Sequence, residues 1–135
     1  MTVYFANEYS STFTALVEVT GKTPAFLGID YDLVNVSSSS LPSLTGINTL
    51  AKNHASSGGL IQLMWTTRNP WSGGSKGAGD RTNFGSLADL YTSGNAAYDQ
   101  FKIQLDHLAS GLLDLQLSGV NVLFRPFHEM NGNWF

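Results

Sequence analysis

Four short apolar runs that do not alternate with polar residues limit the fold most strongly: residues 3–5, 25–29, 60–65 and 120–124. A strand with one wet face alternates, so a continuous apolar run marks a strand covered on both faces, as in a parallel sheet packed between layers. Stretches with helical spacing separate the runs, and the order βαβαβαβ is that of an α/β protein with a parallel sheet. At 135 residues the chain holds one domain or a piece of one, and no linker or internal repeat divides it.

The connecting stretches carry their own start and stop signals. In the first, Phe13, Leu16, Val17 and Thr20 fall at i, i+3, i+4 and i+7, with Ser10 or Ser11 available as a cap and Gly21 as the stop. In the second, Leu44, Ile47, Leu50 and Ala51 line one face after Pro42-Ser43, and Gly58-Gly59 ends it. In the third, Phe101, Leu105, Leu108, Leu112 and Leu115 repeat at steps of four and three, which predicts a helix from Ala96 to Leu117 closed by Gly119. Gly111 lies inside that helix at a cost of about 1 kcal/mol relative to alanine, which tertiary packing must cover.

Composition narrows the partner. A net charge of −3 with seven scattered Lys and Arg argues against nucleic acid, which demands a basic face. Aromatic residues make up 12% of the chain, and such planes can cover the apolar faces of sugar rings. There is no cysteine, so neither disulfides nor thiolate-bound metal enter. His54, His107 and His128 stand at no metal-ligand spacing, and the expectation is no metal and no cofactor. Gly77-Ala78-Gly79-Asp80 matches neither a Walker loop nor a dinucleotide fingerprint, so a flavodoxin-like reading lacks its phosphate site. No apolar run approaches the roughly 20 residues of a membrane span, and residues 1–5 show neither the basic nor the apolar part of a signal peptide.

Chemistry concentrates where apolar runs give way to polar residues. Segment 66–95 is long, polar and glycine-rich, contains Asn69-Pro70-Trp71-Ser72-Gly73-Gly74, and follows the carboxyl end of a strand, the face where parallel α/β enzymes place ligands. The fourth run passes directly into Arg125-Pro126-Phe127-His128-Glu129-Met130-Asn131-Gly132-Asn133-Trp134-Phe135. A carboxyl leaving a strand into a partly apolar cleft can hold a proton near neutrality and act as a general acid. Spacing alone leaves two readings of Arg125, His128 and Glu129, a structural ion-pair network or an acid with its supports.

That last string resembles the Arg-Pro-x-His-Glu-x-x-Gly-x-Trp-Phe signature of glycoside hydrolase family 26, the β-mannanase family. The stretch from Trp65 to Gly74 is similar to the family's Trp-x-x-x-Asn-Pro loop after the third strand, and Pro24 to Tyr31 to its second strand. The resemblance implies the N-terminal half of a (β/α)8 TIM barrel, about four βα units. A whole barrel takes about 250 residues, so residues 1–135 are expected to be a partial catalytic domain cut after the fourth strand.

The same resemblance implies retaining hydrolysis of β-1,4-mannosidic bonds in mannan or galactomannan, with Glu129 as acid/base and His128 beside it orienting the catalytic carboxylates. Trp134, Arg125, Trp65, Trp71, Asn69 and Asp30 are the expected substrate-binding residues. The nucleophile of such a mechanism is a second carboxylate about 5–5.5 Å from the first, and in the family it follows the seventh strand. The three glutamates here are Glu8, Glu18 and Glu129, and none stands at that place, so the isolated chain is expected to be inactive. Thr66 departs from the histidine that family members commonly carry after the third-strand tryptophan, which leaves β-1,3-xylan and mixed-linkage β-glucan as alternative substrates. A non-catalytic carbohydrate-binding or degenerate protein is the other alternative. The family points to secretion, and the open edges of a half barrel offer a route to self-association.

Overall fold

The computed structural model describes residues 2–3, 9–31, 43–72, 80 and 82–128. Glu129 and Trp134, like Glu8, lie outside the described residues. Four parallel strands are present: β1 (Thr2–Val3), β2 (Phe26–Asp30), β3 (Leu60–Trp65) and β4 (Val122–Pro126). Three α-helices connect them: α1 (Thr14–Thr20), α2 (Thr45–Ser56) and α3 (Ala96–Leu117). The sheet order is β1-β2-β3-β4, with Gly28 opposite Gln62 and Gln62 opposite Leu123. Consecutive parallel strands joined by helices, in sequential order, form an arc of the (β/α)8 barrel wall.

The core lies between the sheet and the helices. Leu27, Ile29, Ile61 and Leu63 from β2 and β3 pack with Leu44 just before α2, Ile47 and Ala51 of α2, and Leu108 and Leu115 of α3. Each fully buried Leu or Ile contributes about 1.5–3 kcal/mol. Two buried polar side chains between the helices pair with each other: Tyr31 donates its hydroxyl to Asn48 Oδ1, and Asn48 Nδ2 donates to Gly111 O at 2.9 Å and to Asp114 at 2.7 Å. Burial, followed by the Asp114 carboxylate, pushes the Tyr31 phenol above its ordinary value, so it stays a donor.

Both long helices end by the same device. Gly58 and Gly119 take left-handed φ of 83° and 72°, and N–H groups beyond each helix bond back, Gly59 to His54 O at 3.0 Å and Val120 to Leu115 O at 3.0 Å. These paired bonds satisfy carbonyls that the helix leaves open. They also explain why the fourth strand begins at Val122 rather than at residue 120, since the Val120 N–H is held by the helix end. Asn95 caps α3, accepting from the Ala97 N–H at 2.9 Å.

Four expectations are corrected by packing. The N-cap position of α1 falls on Phe13, which makes no side-chain cap, because a wider helical turn over Tyr9–Phe13 runs straight into the helix. No residue of α1 is buried, and of its expected face Phe13 goes inside, edge-on to His54 with ring centres 5.4 Å apart. On α3 the buried line runs through Ala97, Gln104, Leu108, Gly111 and Leu115, leaving Leu105 38% exposed. Gly111 has a packing reason: a Cβ there would stand 2.5 Å from Leu44 Cδ1 and 2.9 Å from Tyr31 Cε2. Finally, β4 is not covered on both faces as its apolar run predicts, for Leu123 and Phe124 are exposed while their counterparts on β3 are not.

Candidate functional site at the strand carboxyl ends

The parallel register brings the ends of β2, β3 and β4 to one rim. The Tyr31 N–H bonds to Met64 O at 3.0 Å and the Phe127 N–H to Trp65 O at 2.7 Å, so each strand is tied to its neighbour up to its last residue. At Phe127 the chain turns through a left-handed conformation, φ 49°, a state that costs a non-glycine residue about 1–2 kcal/mol. The hydrogen bond to Trp65 offsets part of that cost, as does the edge-on contact of the Phe127 and Trp65 rings, 5.3 Å apart.

The turn carries His128 back across the end of β3. Its Nε2 stands 3.5 Å from Asp30 Oδ2, at the end of β2, and its Nδ1 stands 3.4 Å from Thr66 Oγ1, just past β3. Three strands therefore contribute to one polar cluster. Asp30 is fully buried and the His128 side chain is 13% exposed, so the imidazole lies between an enclosed carboxylate and the rim. Arg125 takes another course, its guanidinium reaching Met64 Sδ at 3.7 Å.

Side-chain hydrogen bonds tie together the described residues of the loop after β3. Asn69, buried, gives Nδ2 to Asp80 O at 3.2 Å and to Thr82 O, while its Oδ1 accepts from the Trp71 N–H at 3.0 Å. The turn Pro70–Ser72 presents a partly exposed Trp71, whose indole N–H bonds Asp89 Oδ2 at 2.9 Å and whose ring meets Phe84. Asp89 also accepts from the Ser86 N–H at 2.9 Å, closing the cap of the turn Leu87–Tyr91. Gly85 is required there, since a Cβ would meet Asp89 Oδ2 at 2.3 Å and Trp71 Nε1 at 2.4 Å.

Of the residues that sequence reading nominates, Asp30 and His128 are brought together, Trp65 packs beneath Phe127, and Asn69 and Trp71 share the loop frame. Gln104 and Arg68 were missed. Gln104 Oε1 accepts from the Arg68 N–H at 2.7 Å and from Thr67 Oγ1 at 2.9 Å, pinning the loop's first turn to α3. Its signal was a polar residue on the apolar line of a helix. Arg68 is fully buried, which no local pattern announces. Among the described residues no three His, Asp or Glu side chains converge in a way that could hold a metal ion, and no helix is long and apolar enough to cross a membrane.

An arc of parallel strands with its polar cluster at the carboxyl ends is the architecture of a barrel enzyme. The chain belongs to glycosyl hydrolase family 26, whose profile matches residues 3–135. It is 33% identical to a mannan endo-1,4-β-mannosidase of Bacillus subtilis over 124 residues, covering 89% of this chain and 34% of that protein. A mannan endo-1,4-β-mannosidase of Thermothelomyces thermophilus is 33% identical over 132 residues, covering 89% of this chain and 27% of that protein. The chain thus spans about a third or less of these relatives. Among solved structures, the Bacillus subtilis mannanase man26 superposes with a TM-score of 0.76 at 29% identity, covering 91% of this chain and 37% of that one. GH26A from a Muricauda species superposes at 0.71 and 26% identity, covering all of this chain and 45% of that one.

Proposed function

We propose that this chain is part of the catalytic domain of a retaining endo-β-1,4-mannanase and that Glu129 is its general acid/base. The observation that carries the reading is the string Arg125 to Phe135 at the carboxyl end of β4, in a chain that belongs to family 26. Glu129 protonates the leaving glycosidic oxygen and then takes a proton from the incoming water. A carboxylate outside residues 1–135 is the nucleophile, which makes these residues alone inactive.

The partner is a neutral β-mannan, in keeping with the names of the relatives and the aromatic content. His128 orients the carboxylates, and Trp134, Arg125 and Trp71 contact sugar. Trp65 and Asn69, nearly buried, are further proposed lining residues of the cleft. The exposed apolar side chains of β4 support the reading of residues 1–135 as a partial domain, since further strands would cover them. Left uncovered, that edge pairs with a second copy. Secretion fits an enzyme whose substrate is a polymer.

The test is hydrolysis of galactomannan, read as reducing ends. The purified 135-residue chain is expected to show none above a Glu129→Ala control, and turnover above that control refutes the missing-nucleophile reading. In the complete barrel, Glu129→Ala is expected to slow hydrolysis by about 10²–10⁴-fold, the contribution of a general acid or base. Unchanged turnover on unactivated mannan removes Glu129 from the role.

A further inference from the structure

Resting on the assignment of Glu129, we propose that Asp30 is a positioning residue for it, acting through His128. The sequence places Asp30 among cleft-lining groups, yet its carboxylate has no exposed surface and stands behind the imidazole, 3.5 Å from Nε2. On the ring's other side Nδ1 faces Thr66 Oγ1 at 3.4 Å. Both ring nitrogens therefore face a polar group, a carboxyl on one side and a hydroxyl on the other, and these contacts orient the ring plane. A buried carboxyl group helps hold such a ring, because turning the ring away removes one of its polar contacts in a dry site.

The covalent path from this clamp to the acid is one peptide long. Phe127 sits in a left-handed turn that a phenylalanine adopts only when its surroundings hold it there, and His128 is the next residue. The turn is secured on one side by Trp65, through the backbone bond and the ring contact. It is secured on the other by the Asp30 and Thr66 contacts of His128. Releasing the second hold lets the turn relax and rotates the peptide that leads into Glu129. β2 thus contributes to acid catalysis by β4, across a strand that separates them.

Asp30→Asn, made in the complete enzyme, separates this from the two simpler roles. The expected result is a fall in kcat on mannan of about 10²-fold, the scale of a misplaced catalytic group, with KM changed less than threefold. With an aryl β-mannobioside bearing a good leaving group, which needs little protonation to depart, the fall in glycosylation should be at least fivefold smaller. Asp30→Asn added to His128→Gln should cost less than the product of the two single effects, because one acts through the other. A rise in KM at constant kcat makes Asp30 a sugar ligand and overturns the proposal. Equal losses on both substrates, or multiplicative losses in the double variant, make it merely structural and overturn it too. If Asp30→Asn does not fold, His128→Gln must show the same leaving-group dependence or the proposal fails. A Glu129→Ala control with unchanged turnover on mannan instead sinks the underlying assignment, so the two failures are told apart.

Discussion

β3 and β4 are neighbours in one sheet with similar apolar sequences and opposite surroundings. Leu63 on β3 is fully buried, whereas Leu123 and Phe124 on β4 are 57% and 41% exposed. β3 has a strand on each side and α2 against it, while among the described residues β4 pairs with β3 alone. An apolar run states a requirement for cover, and neighbours decide whether it is met. The strand that leads into the proposed catalytic string is thus the one whose cover the described residues do not supply.

The contrast can be broken by substitution. Leu63→Ala should cost about 2–5 kcal/mol by opening a cavity in the covered part of the sheet, measured by urea unfolding of the chain. A cost under 1 kcal/mol would mean that the inner strands are no better packed than the edge. Gly111→Ala tests the helix layer that covers them. Helix propensity favours alanine by about 1 kcal/mol, but the added Cβ enters the space of Leu44 and Tyr31, and overpacking costs about 1–3 kcal/mol. A lowered melting temperature is expected, and a raised one would show that the α2–α3 contact gives way easily.

His54 sharpens the comparison at the outer layer, where α1 meets α2. Burial pulls its imidazole below the ordinary value, opposed in part by the Ala25 backbone. As pH falls through about 6.5, the unfolded chain takes up this proton before the folded one does. Stability from this group is therefore present above that pH and declines below it until the folded ring also titrates. Urea midpoints at pH 7.5 and 5.5 should differ in the native chain and differ less in His54→Gln; an unchanged difference would show that other groups set it. The smallest effect belongs to β4: Leu123→Ala should change the stability of the isolated chain by no more than about 0.5 kcal/mol. In the complete barrel the cost should rise toward that of Leu63→Ala.

Much of the fold was legible because its signals are local. The helix from Ala96 to Leu117 follows from periodic leucines, and its end from Gly119. Its buried face was misjudged at Leu105 because leucines at steps of four and three also suit a neighbouring line, and contact with the sheet chose the one through Gln104 and Gly111. Of the candidate site, the run from Arg125 onward was legible as a place where strand chemistry yields to charge. That Asp30 stands behind His128 was not, since 98 residues of sequence separate them and no spacing rule joins the ends of β2 and β4.

The amino-acid sequence by itself determined the strand and helix order, the helix stops and the family, because hydrophobic period, glycine conformation and a dense motif act over a few neighbouring residues. Only the tertiary structure decided which apolar residues are covered, why Gly111 must lack a side chain, and how three strand ends assemble one polar cluster. Those are matters of distance between segments remote in the chain, set by parallel register and by helices packing across it.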